Sequence, residues 1–447
     1  MDKYNYIYLD IWKEIFNNSN FLTRIRLRRV CKLIYYNTRI NDLNNIDKKF
    51  LLKLDDNIII KYYKTIENLC ASYNLKKVKF KDIINKKKFP ICDSKITQIG
   101  INELNLIKLD AIDNPEIIDV RHMTNLKILN ASNNCGINQI GINGLNLIEL
   151  CVNHNSEIVD VSFMKNLNIL YASNYCGINQ SGIQGLDLTE LYVDDNLGII
   201  DVNHMTNLKI LDASNECGIN QQGILKINLT EFYISNNYKI TDVSFMNNLK
   251  ILNIFGKSGI DQLGISNLNL IELYTDNPYI NDVSFMTNLK ILYASGKCGI
   301  DQSGIKGLNL IKLGVVNNHK IKDVSFMTNL KILYASGKCG IDQSGIKGLN
   351  LIKLDVSNNS EIKDVNHMKK LKILYASGIC GIDQSGIMGL NLVKLNVNDN
   401  YKITDVSHMT KLKILHASGY CGIDKNGIKG LNLKKVFLSY KNGFNFE

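Results

Sequence analysis

The chain is poor in the features that mark disorder, secretion and membrane insertion. Only 3 prolines occur in 447 residues, which argues against a Pro-rich linker or a disordered tail. No apolar run approaches the ~20 residues that span a bilayer, and the N-terminus carries no apolar stretch flanked by a cleavage site. The expectation is an intracellular, cytoplasmic protein with no membrane partner. The 11 cysteines include no CxxC pair, and without a secretory signal they do not suggest a disulfide scaffold. Net charge is missing from most of the chain as well. Residues 1–95 hold 21 Lys+Arg against 10 Asp+Glu, so the whole excess of +11 sits there, and the remaining residues carry 32 against 32. That basic segment, with its Lys86-Lys87-Lys88 run, reads better as a solvated helix face than as a nucleic-acid footprint.

What the chain has in abundance is repetition. The 32-residue string DVSFMTNLKILYASGKCGIDQSGIKGLNLIKL runs from Asp282 to Leu313 and returns unchanged from Asp323 to Leu354, 41 positions on. Self-alignment extends this into a double unit of about 41 residues over much of the chain. Its first half reads LKILNASNNCGI at 126–137 and its second LIELCVNHNSEI at 147–158. Leu-x-Leu alternation makes a short strand with one buried face. A coil of about 20 residues is too small to bury that face alone, so coils must stack and pair their strands into a parallel sheet. The return segments, such as DVSFMTN and DQSGIKGLN, are too short for full helices and suit 3₁₀ turns and extended chain.

In phase over about 17 coils, this spacing resembles the leucine-rich-repeat family across residues 99–440, with 441–447 as a tail. The expected fold is an α/β leucine-rich-repeat solenoid, with a parallel β-sheet inner wall and a short 3₁₀ or extended outer wall. LKKVKF at Leu75 reads as a degenerate entry coil. Second-type coils carry Asn at the turn after the strand, for example Asn318 and Asn359, where a side-chain amide can satisfy backbone groups. First-type coils carry Cys there instead (Cys135, Cys176, Cys217, Cys298, Cys339, Cys380, Cys421), replaced once by Ser258. One cysteine every second coil, about 10 Å from the next, reads as packing and not as disulfide or metal chemistry.

The non-leucine strand positions face solvent on the inner wall, and there the residues run in ladders. Glu149, Glu190, Glu231 and Glu272 give way at the same position to Lys312, Lys353 and Lys394. Two places on stand Tyr192, Tyr233 and Tyr274, and first-type coils add Tyr171, Tyr293, Tyr334 and Tyr375. Tyrosines with adjacent charge are good contact material for a protein partner. The same residues equally suit ring-on-ring stacking that only stabilises the sheet.

The head of the chain, residues 5–44, has apolar spacings of three, four and seven that suit a small all-helical domain, continued by a helical connector over 45–98. IYLDIWKEIF at Ile7–Phe16 and IRLRRVCKLI at Ile25–Ile34 resemble the opening and closing patterns of the F-box. The resemblance implies docking on a Skp-type adaptor, and through it on a cullin ubiquitin ligase. By position it assigns the adaptor-facing role to Ile7, Tyr8, Ile11, Ile15, Phe16, Leu27, Val30, Cys31 and Ile34. The chain departs from the pattern at Tyr8 for Pro, Ser19-Asn20 for Leu-Pro and Ile34 for Trp. A plain helical cap over the first coil is the other reading of the head. The combination is similar to F-box/leucine-rich-repeat proteins of giant DNA viruses of amoebae, which would place it in host-cell cytoplasm.

Enzyme signals are weak. Gly256-Lys257-Ser258 lacks the glycine that a phosphate-binding loop needs five residues earlier, where Ile251 stands. His122, His204, His367 and His408 share a position with Phe163, Phe245, Phe285 and Phe326, which marks a packing site and not a metal ligand. The sequence therefore predicts no catalytic residues, no cofactor and no metal. It predicts a receptor that holds a target protein on its inner wall as a single copy within a ligase complex, or alternatively a scaffold or decoy without a ligase.

Overall fold

The architecture comes from a computed structural model, which describes residues 96–438 and the backbone of strand Asn68–Cys70. The adaptor-facing set from Ile7 to Ile34, the Lys86–Lys88 run, the Leu75 entry coil and the tail 441–447 lie outside the described residues. The strand Asn68–Cys70 falls within the segment read as a helical connector, and it pairs in parallel with Lys108–Asp110. The chain divides into two compact units, Met1–Ile227 and Asn228–Glu447.

Both units are built alike. Each coil contributes a strand of three or four residues, such as Ile332–Tyr334 or Lys353–Asp355, paired in parallel with its neighbours. Register is strict: Ile332 lies against Lys353, Leu333 against Leu354 and Tyr334 against Asp355. The pleat sends the middle leucine inward and leaves its flanks at the surface, so Leu333 and Leu354 are fully buried while Ile332 and Tyr334 are half-buried. In one double unit the first coil buries Leu330, Leu333, Ala335, Ile341, Ile346 and Leu349. The second buries Leu351, Leu354, Val356, Ile362, Val365 and Met368.

The outer wall is as spare as the return segments required. The DQSGI-type returns form single 3₁₀ turns, for example Ser303–Ile305 and Ser344–Ile346, and the DVSFM-type returns have no helix at all. Two returns tighten instead into one α-turn each, Gln98–Ile101 and Gln139–Ile142. Coil is tied to coil here by a residue whose role the sequence reading did not foresee. The Oε1 of Gln343 accepts from the N–H groups of Lys363 and Asp364 at 2.9 Å each, and its Nε2 donates to the Asp364 carbonyl at 2.8 Å. Gln98, Gln180, Gln302 and Gln384 make the same three-bond clamp.

The buried corner after each strand follows one rule: the residue there must offer an acceptor to the N–H two places on. Asn359 Oδ1 takes the Glu361 N–H at 2.9 Å, Cys339 Sγ takes that of Ile341 at 3.4 Å and Ser258 Oγ that of Ile260 at 3.2 Å. Asn does more, because its Nδ2 reaches back to the preceding coil. Asn359 donates to the carbonyls of Ala335 and Ile341, both at 3.0 Å, and is 1% exposed. Replacing Asn359 with Ala strands these groups without a partner, and the expected loss is roughly 2–4 kcal/mol. Chemical denaturation of the full chain measures it.

Candidate partner-binding surface

The surface of interest is the strand face opposite the leucines. Its first ladder, the position before each buried leucine, holds Glu149 and Glu190 in the N-terminal unit. In the C-terminal unit it holds Glu231 and Glu272, then Lys312, Lys353 and Lys394. In register these charges are not neighbours, because a first-type coil lies between each pair. Glu272 pairs with Ile291, Ile291 with Lys312, Lys312 with Ile332 and Ile332 with Lys353. An isoleucine rung separates each charge from the next, which spares the like charges a direct cross-strand repulsion.

The second ladder carries the tyrosines, and they treat the two signs of charge differently. Where the first ladder is acidic, the hydroxyl does the work. Tyr192 Oη donates to Glu190 at 2.9 Å, Tyr233 to Glu231 at 2.8 Å and Tyr274 to Glu272 at 2.6 Å. Burial, joined by the Glu272 carboxylate, holds the Tyr274 hydroxyl well above the ordinary tyrosine value. Where the first ladder is basic, the ring face does the work. Lys353 Nζ lies 4.8 Å from the Tyr334 ring centre and 5.3 Å from that of Tyr375, and Lys394 Nζ is 5.1 Å from Tyr375. Burial alone would pull the Lys353 ammonium down, but its 2.9 Å hydrogen bond to Tyr334 Oη turns the balance, and its pKa stands above the usual lysine value.

Ring stacking is also present. Tyr171 stacks on Tyr192 at 4.5 Å and 9° in the N-terminal unit, and Tyr274 on Tyr293 at 5.2 Å and 16° in the C-terminal unit. Tyr293 and Tyr334 lie two coils apart yet approach to 5.8 Å, because Gly314 stands between them and leaves the space open. A methyl group at Gly314 would run into the Tyr293 ring. Of the sites predicted on the wall, Tyr293, Lys312, Tyr334, Lys353, Tyr375 and Lys394 are thus brought into one contiguous row.

The histidine position lies at the surface and not in the packed interior, and Phe285 and Phe326, which hold it in other coils, are 38% and 40% exposed. His122 and His408 are exposed, and their Nε2 atoms lie 3.0 and 3.3 Å from the carbonyls of Ile101 and Ile387 in the preceding coil. Among the described residues, no group of three or more His, Cys, Asp or Glu is placed to hold a metal ion. No described helix is long and apolar enough to cross a membrane.

The fold is a leucine-rich-repeat solenoid. No family profile matches the chain, and no curated protein matches it. Among solved structures, a chain of the Rad7–Elc1 complex of yeast is 16% identical with a TM-score of 0.37, over 92% of this chain and 94% of that one. The internalin InlF from Listeria monocytogenes is 21% identical with a TM-score of 0.37, over 66% of this chain and 81% of its own. The circular leucine-rich-repeat protein CroV588 is 13% identical with a TM-score of 0.37, over 86% of this chain and 54% of its own.

The corner cysteines are chemically quiet by construction. Cys339 and Cys380 form no disulfide, and burial pushes both thiols up to about 11. The thiolate is the reactive form, so a group raised this far is almost wholly protonated at pH 8. Alkylation of Cys339 and Cys380 by iodoacetamide at pH 8 is expected to run on the order of 100-fold slower than for free cysteine, and to recover on denaturation. Mass spectrometry of the labelled peptides measures the ratio.

Proposed function

We propose that this protein is a recognition subunit of a cullin-type ubiquitin ligase. The F-box-like head docks a Skp-type adaptor, the solenoid wall holds a target protein, and other subunits carry out ubiquitin transfer. The observation that carries the binding half of this reading is the exposed wall of the C-terminal unit. It presents aromatic rings and fixed charge in register over many coils, on strands that packing holds rigid. A wall of that kind suits recognition of an extended surface, because its chemistry recurs along a length and does not converge on one point. The ligase half rests on the head's sequence resemblance, in Ile7–Phe16 and Ile25–Ile34.

A scaffold or decoy without ligase association is the second reading. The departures at Tyr8, Ser19, Asn20 and Ile34 favour it, since they replace residues that define the F-box pattern. Pull-downs with the full-length protein and with a form lacking residues 1–44 separate the two. The expected outcome is that the full-length protein recovers adaptor and cullin, the shortened form recovers neither, and both retain the target. Retention of a target by both forms with no adaptor or cullin in either would establish the scaffold.

A further inference from the structure

We propose that the inner wall from Lys290 to Lys435 is a binding site for an extended acidic protein segment bearing a carboxylate at about every third residue. The proposal rests on the reading of the wall as the partner surface and specifies the chemistry of what it holds. Two rows of lysine run along this stretch, each recurring every second coil. Lys290, Lys331, Lys372 and Lys413 stand one place before the first-type strands, and the first three are exposed. Lys312, Lys353, Lys394 and Lys435 open the second-type strands in between. Against these 8 lysines, the strands from Ile291 to Leu438 carry one acidic residue, Asp355. Among the described residues, no ion pair is formed by Lys331, Lys353, Lys372 or Lys394.

Spacing sets the register of the ligand. Strands about 4.8 Å apart place successive lysines of one row about 9.6 Å apart, and three residues of extended chain cover about 9.9 Å. A carboxylate every third residue therefore meets one row in phase along the stack, and the second row lies half a period away. The rungs between lysines are apolar: Ile311, Ile352 and Val393 are 39%, 37% and 38% exposed and alternate with Lys290, Lys331, Lys372 and Lys413. They offer contact to the apolar side chains between the acids.

The tyrosines decide against a nucleic acid as the occupant. Single strands bind by stacking bases on open aromatic faces as well as by charge. Here the faces are taken, with Tyr334 between Lys312 and Lys353 at 5.9 and 4.8 Å, and Tyr375 between Lys353 and Lys394 at 5.3 and 5.1 Å. Ammonium groups held in this way are also pre-positioned, so a carboxylate gains their attraction with less ordering of long side chains.

The test is fluorescence anisotropy on the full-length protein with three labelled probes. These are a peptide of about 15 residues with Glu at every third position among Leu and Ser, the same composition with its glutamates in one block, and oligo-dT of equal charge. The periodic peptide is expected to bind about 10-fold tighter than the blocked one at ~0.15 M salt, and to weaken as salt rises. Replacing Lys331 and Lys372 with Gln touches none of the tyrosine contacts. It is expected to lower affinity about 5- to 30-fold with an unchanged melting curve. Lys353→Glu with Lys394→Glu is expected to lower it further. Equal binding of the two peptides, oligo-dT binding as tightly as the periodic peptide, or unchanged affinity in the folded Gln variant would each overturn the proposal. Adaptor recovery depends on residues 1–44, so failure of this test and failure of the ligase reading are read from separate experiments.

Discussion

A coil of about 20 residues cannot satisfy itself, and this one constraint organises the molecule. Each coil is short of partners for its backbone at two places, the buried corner and the outer wall. Neighbours make good the deficit through side-chain amides. Asn318 reaches back to the carbonyls of Ala294 and Ile300 at 2.9 and 3.1 Å, while Gln302 takes the next coil's Lys322 and Asp323 N–H groups at 2.9 Å. Apolar burial drives stacking, but leucine on leucine is indifferent to small slips. Directional bonds between coils are what hold the register.

That division of labour accounts for the 41-residue period. The corner needs an acceptor for one N–H in every coil, and Asn, Cys and Ser all supply one. Only Asn also donates backwards. Asn155 bonds Ala131 and Ile137 in its N-terminal neighbour, as Asn400 does Ala376 and Ile382, and in each case the neighbour is a first-type coil. A first-type coil lends two carbonyls and a second-type coil lends the amide, so the bonded unit is the pair. Verbatim duplication such as 282–313 and 323–354 adds a complete pair and leaves no mismatched joint.

On the wall, one residue type serves two electrostatic regimes. Tyrosine donates a hydroxyl hydrogen bond to glutamate and offers lysine its ring face and, at Tyr334, its hydroxyl oxygen, so the charge at the neighbouring position changes sign without a change of scaffold. Sheet stability and partner recognition are thus not rival accounts of these residues. Tyr334 stacks towards Tyr293 and orders Lys353 in the same arrangement, and an ordered cation is a better recognition group than a free one.

The sequence by itself determined the solenoid, its parallel strands, the 3₁₀ returns and the wall positions of the glutamates, lysines and tyrosines. It could do so because Leu-x-Leu periodicity and coil length leave a single way to bury the leucines. The corner cysteines, too, were legible as packing from their strict recurrence at one position. Only the tertiary structure decided which residues meet across coils. The glutamine clamp and the backward reach of Asn359 join residues some 20 positions apart. The recurrence of Gln in the DQSGI returns was a visible signal, but its partners are backbone N–H groups, which every residue has and no letter marks. The approach of Tyr293 to Tyr334 depends likewise on the absent side chain of Gly314, a gap that exists only once the strands lie in register.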